Sequence, residues 1–113
     1  MKVSDIMSDR VITVGQDEPV ITAARLFKRY NLGAMPVCDD TGRLQGMLTD
    51  RDIVLRCTAS GADPKNVKIR DIMSRGIVTT TPDCDIDSAA KQMSADQVRR
   101  LPVVDGGRLI GML

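Results

Sequence analysis

The sequence predicts an α/β fold: two strand-helix-strand-strand-helix modules packed with pseudo-twofold symmetry, the second cut short at its C-terminus. Three observations predict it. The chain repeats itself, since Val3-Ser-Asp-Ile-Met-Ser8 returns as Ile69-Arg-Asp-Ile-Met-Ser74 and Met35-Pro-Val-Cys-Asp39 as Leu101-Pro-Val-Val-Asp105. Gly42-Arg-Leu-Gln-Gly-Met-Leu48 likewise returns as Gly107-Arg-Leu-Ile-Gly-Met-Leu113. The interval of roughly 66 residues is well above solenoid periods, so each copy is a module of its own. Within each copy, β-branched runs alternate with apolar residues at helical spacing, the pattern of mixed strand and helix.

The elements follow in order. Residues 11–14, Val-Ile-Thr-Val, form a β-branched run bounded by Gly15 and read as a first strand. Asp17-Glu18-Pro19 opens a helix, with acids near its positive end and proline in the first turn. Val20, Ala23, Ala24 and Phe27 mark the buried face of that helix, and Asn31 and Gly33 end it. Residues 35–38 and 44–48 read as two strands of a hairpin around Asp39-Asp40-Thr41-Gly42. A second helix opens near Asp50 and carries Ile53, Val54 and Cys57 before Gly61. In the second copy, residues 77–80, the face Ile86/Ala89/Ala90/Met93, residues 101–104 and residues 109–113 take the same roles. The halves divide as 1–62 and 63–113, joined by Ser60-Gly61-Ala62-Asp63-Pro64, which is too short for a free linker. After Gly111-Met112-Leu113 the second copy lacks the helix that follows Leu48 in the first, leaving its last strand for another segment to cover.

Composition narrows the functional classes. The chain has 113 residues, 42% hydrophobic and 27% charged, which fits one modest globular core. A formal net charge of +1 gives no general attraction to nucleic acid. Phe27 and Tyr30 are the only aromatics, too few for a base-stacking platform. No apolar run approaches a membrane span, and a cytoplasmic location is expected. Cys38, Cys57 and Cys84 are odd in number and widely spaced, so they read as reduced thiols rather than a disulfide frame or zinc cluster. The absence of histidine removes the commonest general base, no cysteine has an activating partner, and no catalytic role is expected. Asp83, Asp85 and Asp87 lack the glycine and terminal glutamate of a calcium loop and read as acids at a helix start.

Two tandem copies of this module, each with a Pro-Val-hydrophobic-Asp hairpin and a Gly-Met-Leu strand, resemble a pair of CBS domains, the Bateman module. The resemblance covers essentially the whole chain and is closest to stand-alone bacterial members. It implies a cleft that binds adenine nucleotides or related adenosyl ligands, and pairs that associate as homodimers. No cofactor is obligatory on this reading. AMP, ATP or another adenosyl compound would be a ligand, read by a regulated protein that the sequence does not identify.

The stretch Gly46-Met47-Leu48-Thr49-Asp50-Arg51-Asp52 matches the family's Gly-x-x-Thr/Ser-x-x-Asp motif, whose hydroxyl and carboxylate face the nucleotide. On physical grounds Thr49 stands where a strand becomes a helix, beside free N–H groups that suit a phosphate. Asp52 can accept two hydrogen bonds from ribose hydroxyls. The same spacing is also a helix capping box, and both roles can coexist. Arg99 and Arg100, where the first copy has Gly33-Ala34, offer guanidinium forks for phosphate or simply a basic helix end. Thr13 and Thr79 match positions lining the family's cleft, and Met35, Pro36, Arg51 and Pro102 complete the ligand set the resemblance implies. Against ligand binding stands a second reading, a dimerisation scaffold that needs no ligand.

Overall fold

The computed structural model describes residues 1–113. The elements are α1 (Val3–Ile6), α2 (Val20–Tyr30), β1 (Ala34–Cys38), β2 (Leu44–Thr49) and α3 (Asp50–Ile53) in the first part of the chain. A π-helical turn at Val54–Thr58 and a 3-10 turn at Ile69–Asp71 follow, then α4 (Ile86–Ala95), β3 (Pro102–Asp105) and β4 (Arg108–Met112). Strands β1 and β2 form one two-stranded sheet, and β3 and β4 form another. No helix is long and apolar enough to cross a membrane.

The chain folds into two compact units, and the opening motifs are exchanged between the repeats. One unit comprises Ile12–Thr41 and Gln45–Ile77, the other Met1–Val11, Gly42–Leu44 and Val78–Leu113. The Asp-Ile-Met-Ser segment that begins the second copy therefore packs with the first repeat. Its counterpart near the N-terminus packs with the second.

In the unit built on the first repeat, helix α2 inserts Val20, Ala23 and Phe27 against Met35 and Val37 of β1 and Leu48 of β2. Cys57, Ile69, Ile72 and Met73 close the same core. The C-terminus of α2 turns at Asn31, whose φ of 53° is the left-handed conformation that asparagine tolerates. The segment after the 3-10 turn reaches β2 through an antiparallel bridge between Met47 and Ser74. Each of these residues donates its N–H to the other's carbonyl at 2.9 Å. Arg56 Nη1 adds a bond to the Ile72 carbonyl at 3.1 Å.

The unit built on the second repeat centres on Val3, Ala89, Leu101 and Val103, with Met7, Ile86, Met93 and Ile110 around them. Asp85 caps α4 by accepting the Asp87 N–H at 3.1 Å. Lys2 lies 3.6 Å from Asp83, so these acids serve the helix start and the N-terminal segment. The β3–β4 turn uses Gly106 and Gly107 at φ 58° and 83°. Two consecutive left-handed residues make the tight two-residue turn that suits twisted strands. That turn accounts for the one residue by which this hairpin is shorter than its counterpart. An irregularity in the pairing falls between Val103 and Val104.

One expectation needs correction. The runs 11–14 and 77–80 do not become strands of regular length. Each contributes a single parallel bridge, Val14 to Val37 and Thr80 to Val103. Val14 donates to the Pro36 carbonyl at 3.2 Å and accepts from Cys38 at 2.9 Å. Thr80 repeats this with Pro102 at 3.0 Å and Val104 at 2.9 Å. The β-branched residues favour extended backbone, but in each run only one residue meets the sheet edge in register.

Candidate functional site

The residues at the end of β2 form a defined junction. Thr49 holds extended backbone at φ −113°, and helix α3 begins at the next residue. The Thr49 hydroxyl oxygen accepts the Asp52 N–H at 3.0 Å, and Asp52 Oδ2 accepts the Thr49 N–H at 2.9 Å. This is a reciprocal capping box, which satisfies two backbone donors that a helix start leaves without intrahelical partners. The box uses one carboxylate oxygen of Asp52. Its Oδ1 keeps acceptor capacity, and both Thr49 and Asp52 are half-buried rather than sealed. Arg51 is exposed on the first turn of α3, beside Asp50.

Helix α3 runs for only four residues before a π-helical turn takes over at Val54. Such wide turns are uncommon and recur at functional positions. This one leaves Val54 and Leu55 55% and 51% exposed. Tyr30, at the end of α2, is 47% exposed, with the Arg29 guanidinium 5.3 Å from its ring centre.

The other sequence-derived candidates are placed differently. Met35 and Pro36 are fully buried in the core of the first-repeat unit, and Pro102 is fully buried in the other. Arg99 and Arg100 are exposed between α4 and β3, and Thr79 is half-buried beside the Thr80 bridge. Thr13 lines a cleft of about 600 Å³. Around it are the turn of residues 15–18, residues 38–40 and Gln45. The parallel bridge from Val14 to Val37 sets these two stretches side by side. Sequence reading placed Asp17-Glu18 at a helix start and Asp39-Asp40 in a hairpin, without joining them. The signal available was that each acid pair closely follows a stretch read as a strand, residues 11–14 and 35–38.

The cleft is rich in acceptors. Asp17 is ion-paired with Arg70, and Glu18 Oε2 accepts the Gly15 N–H at 2.6 Å. Asp39 Oδ1 accepts both the Thr41 N–H and the Thr41 hydroxyl, at 2.9 and 2.7 Å. Gln16 and Gln45 each bury a side-chain oxygen that has no hydrogen-bond partner. No group of three or more Cys, Asp or Glu side chains is placed to hold a metal ion.

Burial pushes the Cys38 thiol above its ordinary range, and the neighbouring Asp39 charge pushes the same way. A raised thiol pKa means that the folded state holds its proton more tightly than the unfolded chain. The stabilisation is complete below the unfolded thiol pKa and is lost as pH rises through the higher folded one. Chemical denaturation at pH 7 and above pH 9 should therefore show an alkaline loss of stability that is smaller in Cys38→Ala. An equal loss in the variant would assign the effect to other groups.

The family model of the CBS domain matches the chain twice, at residues 3–58 and 69–113. The chain belongs to the CBS-domain family. CBS domain-containing protein YhcV of Bacillus subtilis (strain 168) is 41% identical over 111 residues, covering 98% of this chain and 78% of that protein. The crystal structure of Hypoxic Response Protein I with two coordinated zinc ions is similar at TM-score 0.91 and 36% identity, over 100% of this chain and 92% of that one. The CBS domain pair of protein MJ0100, in complex with 5′-methylthioadenosine and S-adenosyl-L-methionine, matches at TM-score 0.84 and 31% identity, over 100% and 88%. These relatives establish two CBS repeats in an α/β fold.

Proposed function

We propose that this CBS pair, with repeats at 1–62 and 63–113, is a non-catalytic regulatory module that binds an adenine nucleotide or related adenosyl ligand. The observation that carries the reading is the Thr49–Asp52 junction. Its hydroxyl and carboxylate are already oriented by the capping box, and Asp52 retains an oxygen for a ribose. Support also comes from the MJ0100 pair, a relative crystallised with two adenosyl compounds. On the same reading Arg99 and Arg100 are proposed phosphate contacts, and Thr13, Thr79 and Arg51 are proposed ligand residues. Ligand binding shifts the balance between conformations, and a partner protein reads that shift. The module works in the cytoplasm, where Cys38, Cys57 and Cys84 stay reduced.

Calorimetric titration with AMP, ATP and S-adenosylmethionine tests the reading. Saturable binding of at least one supports it, and no heat at millimolar concentrations of all three would favour a ligand-independent scaffold. Arg99→Ala with Arg100→Ala should weaken ATP but not adenosine, which has no phosphate to lose. An equal loss for both would remove the phosphate role.

Self-association is the second part of the proposal. Val54, Leu55 and Tyr30 offer apolar surface on the first-repeat unit, and a twofold dimer needs only one self-complementary patch. Light scattering at micromolar concentration should report a homodimer that Val54→Asp with Leu55→Asp converts to monomer. A parent protein that is already monomeric would refute this part.

A further inference from the structure

The exposed face where α2 meets α3 has a charge that the adenosyl reading does not use. Val54, Leu55 and Tyr30 are the large apolar side chains that the first-repeat unit leaves open to solvent. The two helices pack against each other. The Asp50 N–H donates to the Gly33 carbonyl at 3.2 Å, which holds the start of α3 against the loop leaving α2. Arg25, Lys28 and Arg29 are exposed on one face of α2, at the spacing that makes helical side chains neighbours. Helix α2 contains no acid. Arg29 brings this charge to the apolar patch, its guanidinium 5.3 Å from the Tyr30 ring centre. Arg51, also exposed, stands one helical turn before Val54 and Leu55. Against these cations stands one exposed acid, Asp50, since Asp52 is half-buried and engaged by the Thr49 N–H.

These features select the occupant. Apolar side chains flanked by exposed cations suit a surface that is both apolar and acidic. A second copy answers only the apolar half, because a twofold axis sets the same cations against each other. Guanidinium forks match carboxylates in geometry as well as charge, and Arg25, Arg29 and Arg51 all supply them. A lipid surface is the weaker fit. The net charge of +1 gives no general pull toward an anionic membrane, the chain has no tryptophan, and Phe27 is buried. We propose that this face docks an acidic amphipathic helix of the regulated protein. Its apolar side chains lie on Val54, Leu55 and Tyr30, and its carboxylates pair with Arg25, Lys28, Arg29 and Arg51. The helix and a second copy compete for the same patch. The partner's role rests on the regulatory reading above, whereas the contact itself needs no nucleotide.

The test uses the full chain without nucleotide and a synthetic peptide of roughly 18 residues, above the length at which isolated helices become marginal. The peptide carries leucine at helical spacing and glutamate elsewhere, and its control has lysine in place of every glutamate. Calorimetry and backbone amide NMR should show saturable binding of one glutamate peptide per chain, with shifts at residues 25–30 and 51–55. The lysine peptide should not bind. Raising the salt from about 0.01 M to about 0.15 M, which shortens the reach of charge from about 30 Å to about 8 Å, should weaken binding severalfold. Arg25→Gln with Lys28→Gln and Arg29→Gln should weaken it about tenfold, the scale for three exposed charge pairs. Val54→Ser with Leu55→Ser should weaken it roughly tenfold or more, through lost apolar burial. All five positions are exposed, so melting temperatures should stay near the parent's. Should one variant fail to fold, the other carries the test. Light scattering of the mixture should show the homodimer giving way to one chain with one peptide. The proposal is overturned by equal binding of the two peptides, by shifts confined to other residues, or by unchanged affinity in the folded variants. A homodimer unchanged at saturating peptide overturns it as well, and so do phosphatidylserine vesicles that bind this face where the glutamate peptide does not. AMP titrated into a parallel sample separates this contact from the nucleotide reading, since its failure to bind leaves the peptide result standing and the reverse holds equally.

Discussion

Gly46→Ala is expected to destabilise the protein by about 2–3 kcal/mol, the upper range for forcing a methyl into a packed contact. A Cβ at this position would stand 2.6 Å from the Ser74 carbonyl oxygen and 3.2 Å from the Met73 sulfur. The carbonyl cannot retreat cheaply, because it accepts the Met47 N–H at 2.9 Å within the bridge that docks this segment on β2. Moving it also draws Ile72 and Met73 from the core they help to close. Thermal unfolding should show a drop of roughly 10 °C or more. Gly33→Ala serves as the comparison, since a Cβ there meets nothing within 4 Å. Equal melting temperatures for the two variants would mean that the Met47–Ser74 contact yields without cost. The second repeat has the same device at Gly111, whose Cβ would lie 2.8 Å from the Ser8 carbonyl.

Asp52→Ala should reduce adenosyl-ligand affinity by roughly 1.5–3 kcal/mol, the scale for hydrogen bonds to a charged group. Because Asp52 is also half of the capping box, the same change should lower folding stability by about 1 kcal/mol. Asp52→Asn separates the roles. Its amide oxygen can still accept the Thr49 N–H, so stability should stay near that of the parent, whereas the amide nitrogen cannot accept a ribose hydroxyl. Urea denaturation and calorimetry on the same preparation read both quantities. Binding that follows stability across the two variants, with Asp52→Asn as tight as the parent, would reduce Asp52 to a helix cap.

Much of this was legible in the residues because local chemistry and tertiary packing agree. The apolar face Val20, Ala23 and Phe27, the left-handed stop at Asn31 and the Thr49–Asp52 box are all set within a few residues of chain. What the sequence could not disclose is non-local. A linear repeat does not show that residues 69–74 pack with the first copy while residues 3–8 pack with the second. Nor does β-branched composition reveal that only Val14 and Thr80 meet the sheet edges. The acid-lined cleft was hidden for the same reason, because a single parallel bridge joins two stretches more than twenty residues apart. The wide turn at Val54–Thr58 leaves no compositional trace, since Val-Leu-Arg-Cys-Thr is compatible with an ordinary helix.

The most direct measurement is an amide-resolved NMR titration of the unmodified chain with AMP and with S-adenosylmethionine. Adenosyl recognition by the first repeat predicts saturable shifts of the Gly46, Thr49 and Asp52 amides with at least one of the two ligands. Unmoved resonances at all three positions, at ligand concentrations that saturate binding elsewhere on the protein, would contradict it.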